Sequence, residues 1–444
     1  MEAVTKKPSA EPKSAFMPRA PDTLEKLDIP VSIVEDLMLR RLYTHGTSSI
    51  RYLSNVLKLS FPVVQSVFER LRRQHLFEVT GLVGNDYSFA LSGPGREQAA
   101  KRFNISRYSG PAPVSIGNYD AAVRAQVAKI HLNREFLKNA LSDLVLTDGF
   151  LDQLGPGLIS QDSLFLYGPT GNGKTSVVAR LTRIYQDAVL IPYTVEFDGQ
   201  IIVLYDPAVH RKIQTERTDM DPRWVLCHRP CISVGGELEP SMLELQLDES
   251  SGVYAAPLQM RANNGMLVID DFGRQIISPK YLLNRWIVPL DRSVDYLTLR
   301  YGVKFEIPFE MVVVFATNLD PVELADEAFL RRIQNKIYVE PVDSAVFDKI
   351  FRRLVTEREL ACEPDCAEYL RTLCRDSGNG ELRACFPADI LNILTSISLY
   401  EGVPVKINKD NLKRATSMYF TRTMTFAKRP EKTSAPPEAV REIK

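Results

Sequence analysis

The chain has little that would hold it in a membrane or cross-link it. No run of eighteen or more consecutive apolar residues occurs, so no segment is expected to span a bilayer as a helix. The first residues, MEAVTKKPSAEPKSAFMPRAP, lack the apolar core of a secretion signal. Cysteine is sparse, with six residues scattered at 227, 231, 362, 366, 374 and 385. In a chain of this length they are expected to be reduced thiols of a cytoplasmic protein, with no disulfide framework. An excess of either charge is also missing. The 55 basic and 55 acidic residues cancel, so no global field draws the chain to nucleic acid or to a membrane surface, and any basic patch must be local. Internal repeats are absent.

What remains is ordinary globular material, 45% hydrophobic and 25% charged. At 444 residues the chain exceeds one compact core, and two or three domains are expected. Residues 1–29, rich in Pro, Lys, Ala and Ser, read as a disordered tail, as do residues 426–444. Residues 30–108 read as three short helices followed by a hairpin. Val34, Leu37, Met38 and Leu42 recur at helical spacing, then Ile50, Leu53, Val56 and Leu57, then Val63, Val64, Val67, Phe68 and Leu71. Ser60 is expected to cap the third helix, with Pro62 in its first turn. FEVTGLVGNDYSFALS alternates on either side of Gly84-Asn85-Asp86, as a β-hairpin does. Residues 109–134 read as a linker.

From 135 to 342 short apolar runs alternate with amphipathic helices. SLFLYG, DAVLIPYTV, MLVID, MVVVFAT and KIYVE are the strand candidates, and the alternation predicts an α/β fold with a parallel sheet. Residues 343–425 carry helical patterns only.

Chemistry enters with Gly168-Pro169-Thr170-Gly171-Asn172-Gly173-Lys174-Thr175, which fits G-x-x-x-x-G-K-[ST] between an apolar strand and a helix beginning near Ser176. Glycines let backbone N–H groups converge on a phosphate without Cβ clashes. The helix start turns its positive dipole end toward the anion. Lys174 supplies a point charge for β- and γ-oxygens, and the Thr175 hydroxyl reaches Mg²⁺. The bland alternative is a glycine-rich loop that binds nothing. A second motif, GMLVIDDFG, sets Asp270 and Asp271 at the C-terminal end of a buried strand, where open α/β sheets bind ligands. Asp270 is placed to hold Mg²⁺ and Asp271 to act as general base on water. A helix cap is the structural alternative for both. A third strand, MVVVFATNLDP, ends in Thr317-Asn318, whose amide can orient water; alone it would be a turn signal.

These motifs in this order, followed by LADEAFLRRIQNKIYV, resemble the AAA+ family of P-loop ATPases over residues 135–425. The resemblance implies a five-strand core with a C-terminal helical lid, and ATP and Mg²⁺ as ligands. It implies Asn318 as the sensor of the γ-phosphate. Arg332, or alternatively Arg331, is then the arginine that reaches a neighbouring subunit's γ-phosphate, and the protein is a homo-oligomer, typically a ring or partial ring of six. Two departures stand out. Asp271 occupies a position more often Glu in the family, so its carboxylate sits about one methylene back. Where a lid arginine is expected, just before Asp389, the chain has Ala388; Arg383 is displaced by more than a helical turn. Residues 198–262 form an unusual insertion, in which GQIIVLYDP reads as an added strand. YLLNRWIVPLD, with Asn284 and Arg285, reads as a helix at an inter-subunit or pore-facing surface. Residues 30–108 resemble a winged helix-turn-helix, and the whole pattern is similar to a bacterial group of winged-helix AAA+ proteins.

Cys227-His228-Arg229-Pro230-Cys231 lacks a second ligand pair at metal spacing, and buried thiols are the expected reading over zinc. The winged helix leaves its partner open between duplex DNA met by residues 50–90, a protein client, and a structural cap. Arg51, Lys58, Arg70, Arg72 and Arg73 are the candidate phosphate contacts, with Glu69 and Glu78 diluting them. Remodelling of DNA, remodelling of a protein, and a slow nucleotide-gated scaffold are the three functions this allows.

Overall fold

The computed structural model describes residues 16–420, apart from 84–85, 216–218, 325–329 and 379. The expected tail ends, the tip of the hairpin and part of LADEAF therefore lie outside the described residues. The chain divides into two compact units, Met1–Glu340 and Pro341–Lys444.

The first unit opens with three helices, α1 (Val31–His45), α2 (Ile50–Leu57) and α3 (Phe61–Arg73), and a hairpin of Phe77–Val83 with Asp86–Leu91. Apolar side chains at helical spacing, from Val34, Leu37 and Met38 to Val63, Val67 and Phe68, pack into one core with Phe77 and Phe89 of the hairpin. Ser60 precedes α3 as expected, but its hydroxyl makes no cap bond. It donates to the Pro21 carbonyl at 2.5 Å instead.

That bond belongs to a larger correction. From Phe16 onward the expected tail is docked. Phe16 meets Trp224 edge-on at 5.3 Å. Asp28 accepts from Arg223, which is 3% exposed at its side chain and also pairs with Asp221. Apolar side chains help to hold the segment: Ile29 is buried, Leu24 and Leu27 pack against the first core, and Phe16 packs against a second. The expected linker is corrected too. Val114–Ser115 is a strand, and Ile116–Ala125 a helix whose Tyr119, Ala122 and Val123 enter a second core.

A five-stranded parallel sheet forms the centre of this unit. Its strands are β1 (Leu164–Tyr167), β2 (Cys231–Val234), β3 (Met266–Ile269), β4 (Val312–Thr317) and β5 (Asn335–Tyr338), in the order β2-β3-β4-β1-β5. Side chains alternate between its faces. Leu164, Leu166, Met266, Val268, Val312 and Val314 pack on one side. Phe165, Leu267, Ile269, Val313 and Phe315 pack on the other. Burial on both faces explains why these strands read as unbroken apolar runs.

One expected strand is elsewhere. DAVLIPYTV splits into Ala188–Pro192, paired antiparallel with Trp224–His228, and Thr194–Phe197. The latter belongs to a mixed sheet with Val114–Ser115, Gln200–Val203, Val253–Ala255 and Gln246–Asp248. The fifth place in the parallel sheet goes to CISV, an edge strand half exposed and easily overlooked. A hairpin of Val294–Thr298 with Lys304–Pro308 packs Leu297, Phe305 and Ile307 into the same core as the mixed sheet. YLLNRWIVPLD forms two short helices, Pro279–Arg285 and Ile287–Arg292. Arg285 is not a free surface group, since it pairs with buried Asp295 and with Glu244.

The second unit packs helices Ser344–Glu357, Cys366–Ser377, Phe386–Glu401 and Lys409–Tyr419 around Phe347, Phe351, Leu370, Ile390 and Leu412. It is not wholly helical: Ala361–Cys362 pairs in parallel with Lys406–Ile407. No helix among the described residues is long and apolar enough to cross a membrane.

Candidate nucleotide-binding site

Strand β1 ends at Tyr167, and helix Lys174–Val178 starts seven residues later. Between them Gly168, Gly171 and Gly173 have φ of 138°, 80° and 87°. Side chains rarely adopt such angles, so glycine is required for the loop to turn back on itself. A Cβ on Gly168 would stand 2.5 Å from the Val339 carbonyl, whereas one on Gly173 would meet only open space. The loop is thus tight against β5 on one side and open on the other. Lys174 Nζ donates to the carbonyls of Gly168 at 2.7 Å and Pro169 at 2.9 Å, which keeps the ammonium folded over the loop. Partial burial pushes its pKa below the usual lysine value, and the nearby carboxylates of Asp270 and Asp271 oppose that shift. Burial of Asn172 and the helix start beyond it complete the loop.

The acids arrive from β3. Thr175 Oγ1 donates to Asp270 Oδ2 at 2.8 Å, so the first acid touches the loop helix directly. The other oxygen of Asp270 accepts from the Asp271 amide at 3.0 Å. Backbone pairing explains where Asp271 sits. The Asp270 amide donates to Val234 of β2, while the Phe272 amide donates to Ala316 of β4. In a regular strand, amides two apart point to the same neighbour. Asp271 is therefore an extra residue between two anchored ones, and it takes φ of 49°. A left-handed conformation at an L-residue is uncommon, although Asp tolerates it.

Four side-chain hydrogen bonds hold this turn. Gln275 Nε2 donates to the carbonyls of Asp270 at 2.8 Å and Asp271 at 3.1 Å, while its Oε1 accepts from the Gly273 amide at 2.8 Å. Thr317 Oγ1 donates to the Phe272 carbonyl at 2.7 Å. Gly273, with φ of 105°, lies where a Cβ would strike Leu319 and Leu324. Gln275 was not singled out by the sequence; a glutamine two residues after the acidic motif's glycine was the available signal.

Register carries the third motif to the same place. Thr317 pairs with Tyr167, so Asn318 leaves β4 beside Gly168 as it leaves β1. Asn318 Oδ1 is buried with no hydrogen-bond partner among the described residues. Such an atom is costly to leave unsatisfied and marks a place for a further polar group.

Arg331 and Arg332 are not brought to this loop. They precede β5, whose first residue lies level with Leu164, so they stand at the opposite end of the sheet. Arg332 Nε donates to both oxygens of Asp291 at 2.9 Å. In the second unit, Arg383 lies over the Phe386 ring at 5.8 Å. Among the described residues no group of three or more His, Cys, Asp or Glu is arranged to hold a metal ion. A Mg²⁺ site of one carboxylate and one hydroxyl, completed by phosphate and water, needs no such group. The donor set of Thr175 and Asp270 and the open cradle at Gly173 fit a magnesium–triphosphate, and the Asn318 oxygen, an acceptor, fits a water beside it.

A family described as a domain of unknown function, DUF8689, matches residues 343–418. No curated protein matches the chain. Among solved structures, the chain is similar to the RuvB Holliday junction branch migration motor of Thermotoga maritima, at 13% identity and a TM-score of 0.34, covering 66% of this chain and 72% of that one. Two single-substitution mutants of the same protein match at 14% identity, with TM-scores of 0.34 and 0.35. Their coverage is 65% and 66% of this chain, and 70% and 72% of theirs.

Proposed function

We propose that the protein binds and hydrolyses ATP as an AAA+-type homo-oligomer and couples that cycle to remodelling a partner. One observation carries this reading: Lys174, Thr175, Asp270 and Asp271 meet at a left-handed glycine loop on the C-terminal side of a parallel sheet. Loop amides and the Lys174 ammonium would grip the β- and γ-phosphates, releasing the ammonium from the Gly168 and Pro169 carbonyls. Mg²⁺ bound at Thr175 and Asp270 would offset charge on the phosphate oxygens. Asp271 takes a proton from the attacking water, and Asn318 orients that water. Arg332 lies at the sheet's far end, which supports a role at a neighbouring copy's phosphates rather than at its own.

The first test is magnesium-ATP binding by calorimetry. Lys174→Ala is expected to weaken it about 10- to 100-fold, the worth of a lost charge-assisted contact. Unchanged affinity in that variant, or no binding by the native protein at millimolar ligand, would sink the reading.

Residues 30–108 are the proposed docking region, with the winged helix-turn-helix as the fold it resembles. Duplex DNA is one candidate partner, through Arg51, Lys58, Arg72 and Arg73. A protein client is favoured by a specific observation. The hairpin from Phe77 to Leu91 contains no Lys or Arg, yet it exposes Val79, Leu82 and Tyr87. Asp271, shorter than Glu, also supports slow turnover.

A further inference from the structure

We propose that Gln275 is a positioning residue that sets the carboxylate of Asp271 for attack on water. The inference rests on the ATPase reading and deepens it. Asp271 cannot hold its own conformation. It is one residue too many between Asp270, anchored to β2, and Phe272, anchored to β4. Its left-handed φ of 49° is one that L-residues seldom adopt. A four-residue turn from Asp271 to Arg274 follows, closed by the Arg274 amide on the Asp271 carbonyl at 3.0 Å. Backbone bonds anchor the two ends of this turn and close it, and side chains hold the carbonyls in between.

Gln275 supplies that hold. Its amide group reaches back across the turn and uses both of its N–H donors there: two carbonyls accept from Nε2, and one backbone amide donates to Oε1. The two carbonyls are those of the metal-side acid and the water-side acid. Fixing both peptide units fixes the direction of the Cα–Cβ bond at Asp271. A carboxylate with one methylene fewer than Glu has less reach, so its Cβ direction decides whether it meets the water. Displacements near 1 Å at such a centre cost about 10²-fold in rate. The bonds do not touch the glycine loop, Lys174 or Thr175, and at Asp270 they meet the main-chain carbonyl, not the carboxylate that bonds Thr175. Gln275 should therefore govern turnover and leave nucleotide affinity nearly alone.

Two variants test this in the full chain, with magnesium-ATP binding and steady-state turnover measured on each. Gln275→Met keeps length and removes all three bonds. Its kcat should fall at least about tenfold, while its dissociation constant for magnesium-ATP stays within about threefold. Gln275→Glu is nearly isosteric and keeps the acceptor but loses the donor at neutral pH. Its turnover relative to the native protein should be low at pH 8 and rise in part toward pH 5, because the protonated carboxyl has one O–H and restores one of the two donated bonds. The native protein lacks that term. Native-like kcat in both variants overturns the proposal. So does a loss of affinity as large as the loss of kcat, which would mark a merely structural residue. Lys174→Ala and Asp271→Asn separate the two levels. Binding retained by the first breaks the ATPase reading itself; binding lost there and turnover lost in the second, with Gln275 variants unaffected, breaks only this inference.

Discussion

At the scale of single residues, the first unit spends several side chains on holding backbone where no regular element can. Asp270 and Gln275 do so at the acidic turn. His210 does so in the insertion. Its Nδ1 accepts from the Asp206 amide at 2.9 Å, which leaves Nε2 to donate to the Arg261 carbonyl at 2.9 Å. Both bonds require a neutral ring, and burial, the largest effect, holds its pKa below 6.5. Between that depressed folded value and 6.5 the unfolded chain binds the extra proton. Stability should therefore fall as pH drops below about 6.5, by at most about 1.4 kcal/mol per pH unit from this site. His210→Gln should flatten that slope between pH 7 and 5 in denaturant unfolding. An identical slope in the variant would assign the acid sensitivity to other groups.

At the scale of elements, the hairpin and α3 bear on what the protein grips. Arg70 is already paired with Glu35 at 2.7 Å, which leaves Arg72 and Arg73 as the exposed cations at the end of α3. With no basic residue on the hairpin, few phosphates can be met at once, and the salt dependence of DNA binding scales with that number. Duplex binding is therefore expected to be weak and its salt slope shallow, with Arg72→Ala and Arg73→Ala together lowering the slope by at most about two. A steep slope, lowered by about two when this pair is removed, would instead establish DNA as the partner. Elements also show where patterns mislead. AVLIP and CISV are both strands, but the wholly apolar one lies outside the central sheet and the mixed one inside it. Hydrophobic patterning reports how much of a strand is buried, not which strand it pairs with.

At the scale of the whole molecule, the two ends of the central sheet carry different halves of the proposed chemistry. The glycine loop and acids are at one end, and Arg332 is at the other. Under the proposed role of Arg332, one copy cannot assemble a complete site. Lys174→Ala and Arg332→Ala are each expected to abolish turnover alone. Mixed in equal amounts they should regain a measurable fraction, because a copy with an intact loop can meet a copy with an intact Arg332. Turnover should also rise with protein concentration. No recovery on mixing, with both variants folded, would mean that sites are not shared.

The positions of the glycine loop, the paired acids and the asparagine at strand tips were legible in the sequence, because each follows directly on an apolar run. The central strands were legible where both faces are buried, since burial writes unbroken apolar runs. Docking of residues 16–29 was hidden, because it depends on Arg223 meeting Asp28 across nearly two hundred residues. Gln275 was hidden for a related reason: a glutamine's role lies in which carbonyls its amide reaches. Those partners exist only once β2, β3 and β4 have set the turn. Composition and spacing decided which groups are present; chain pairing in three dimensions decided which of them meet.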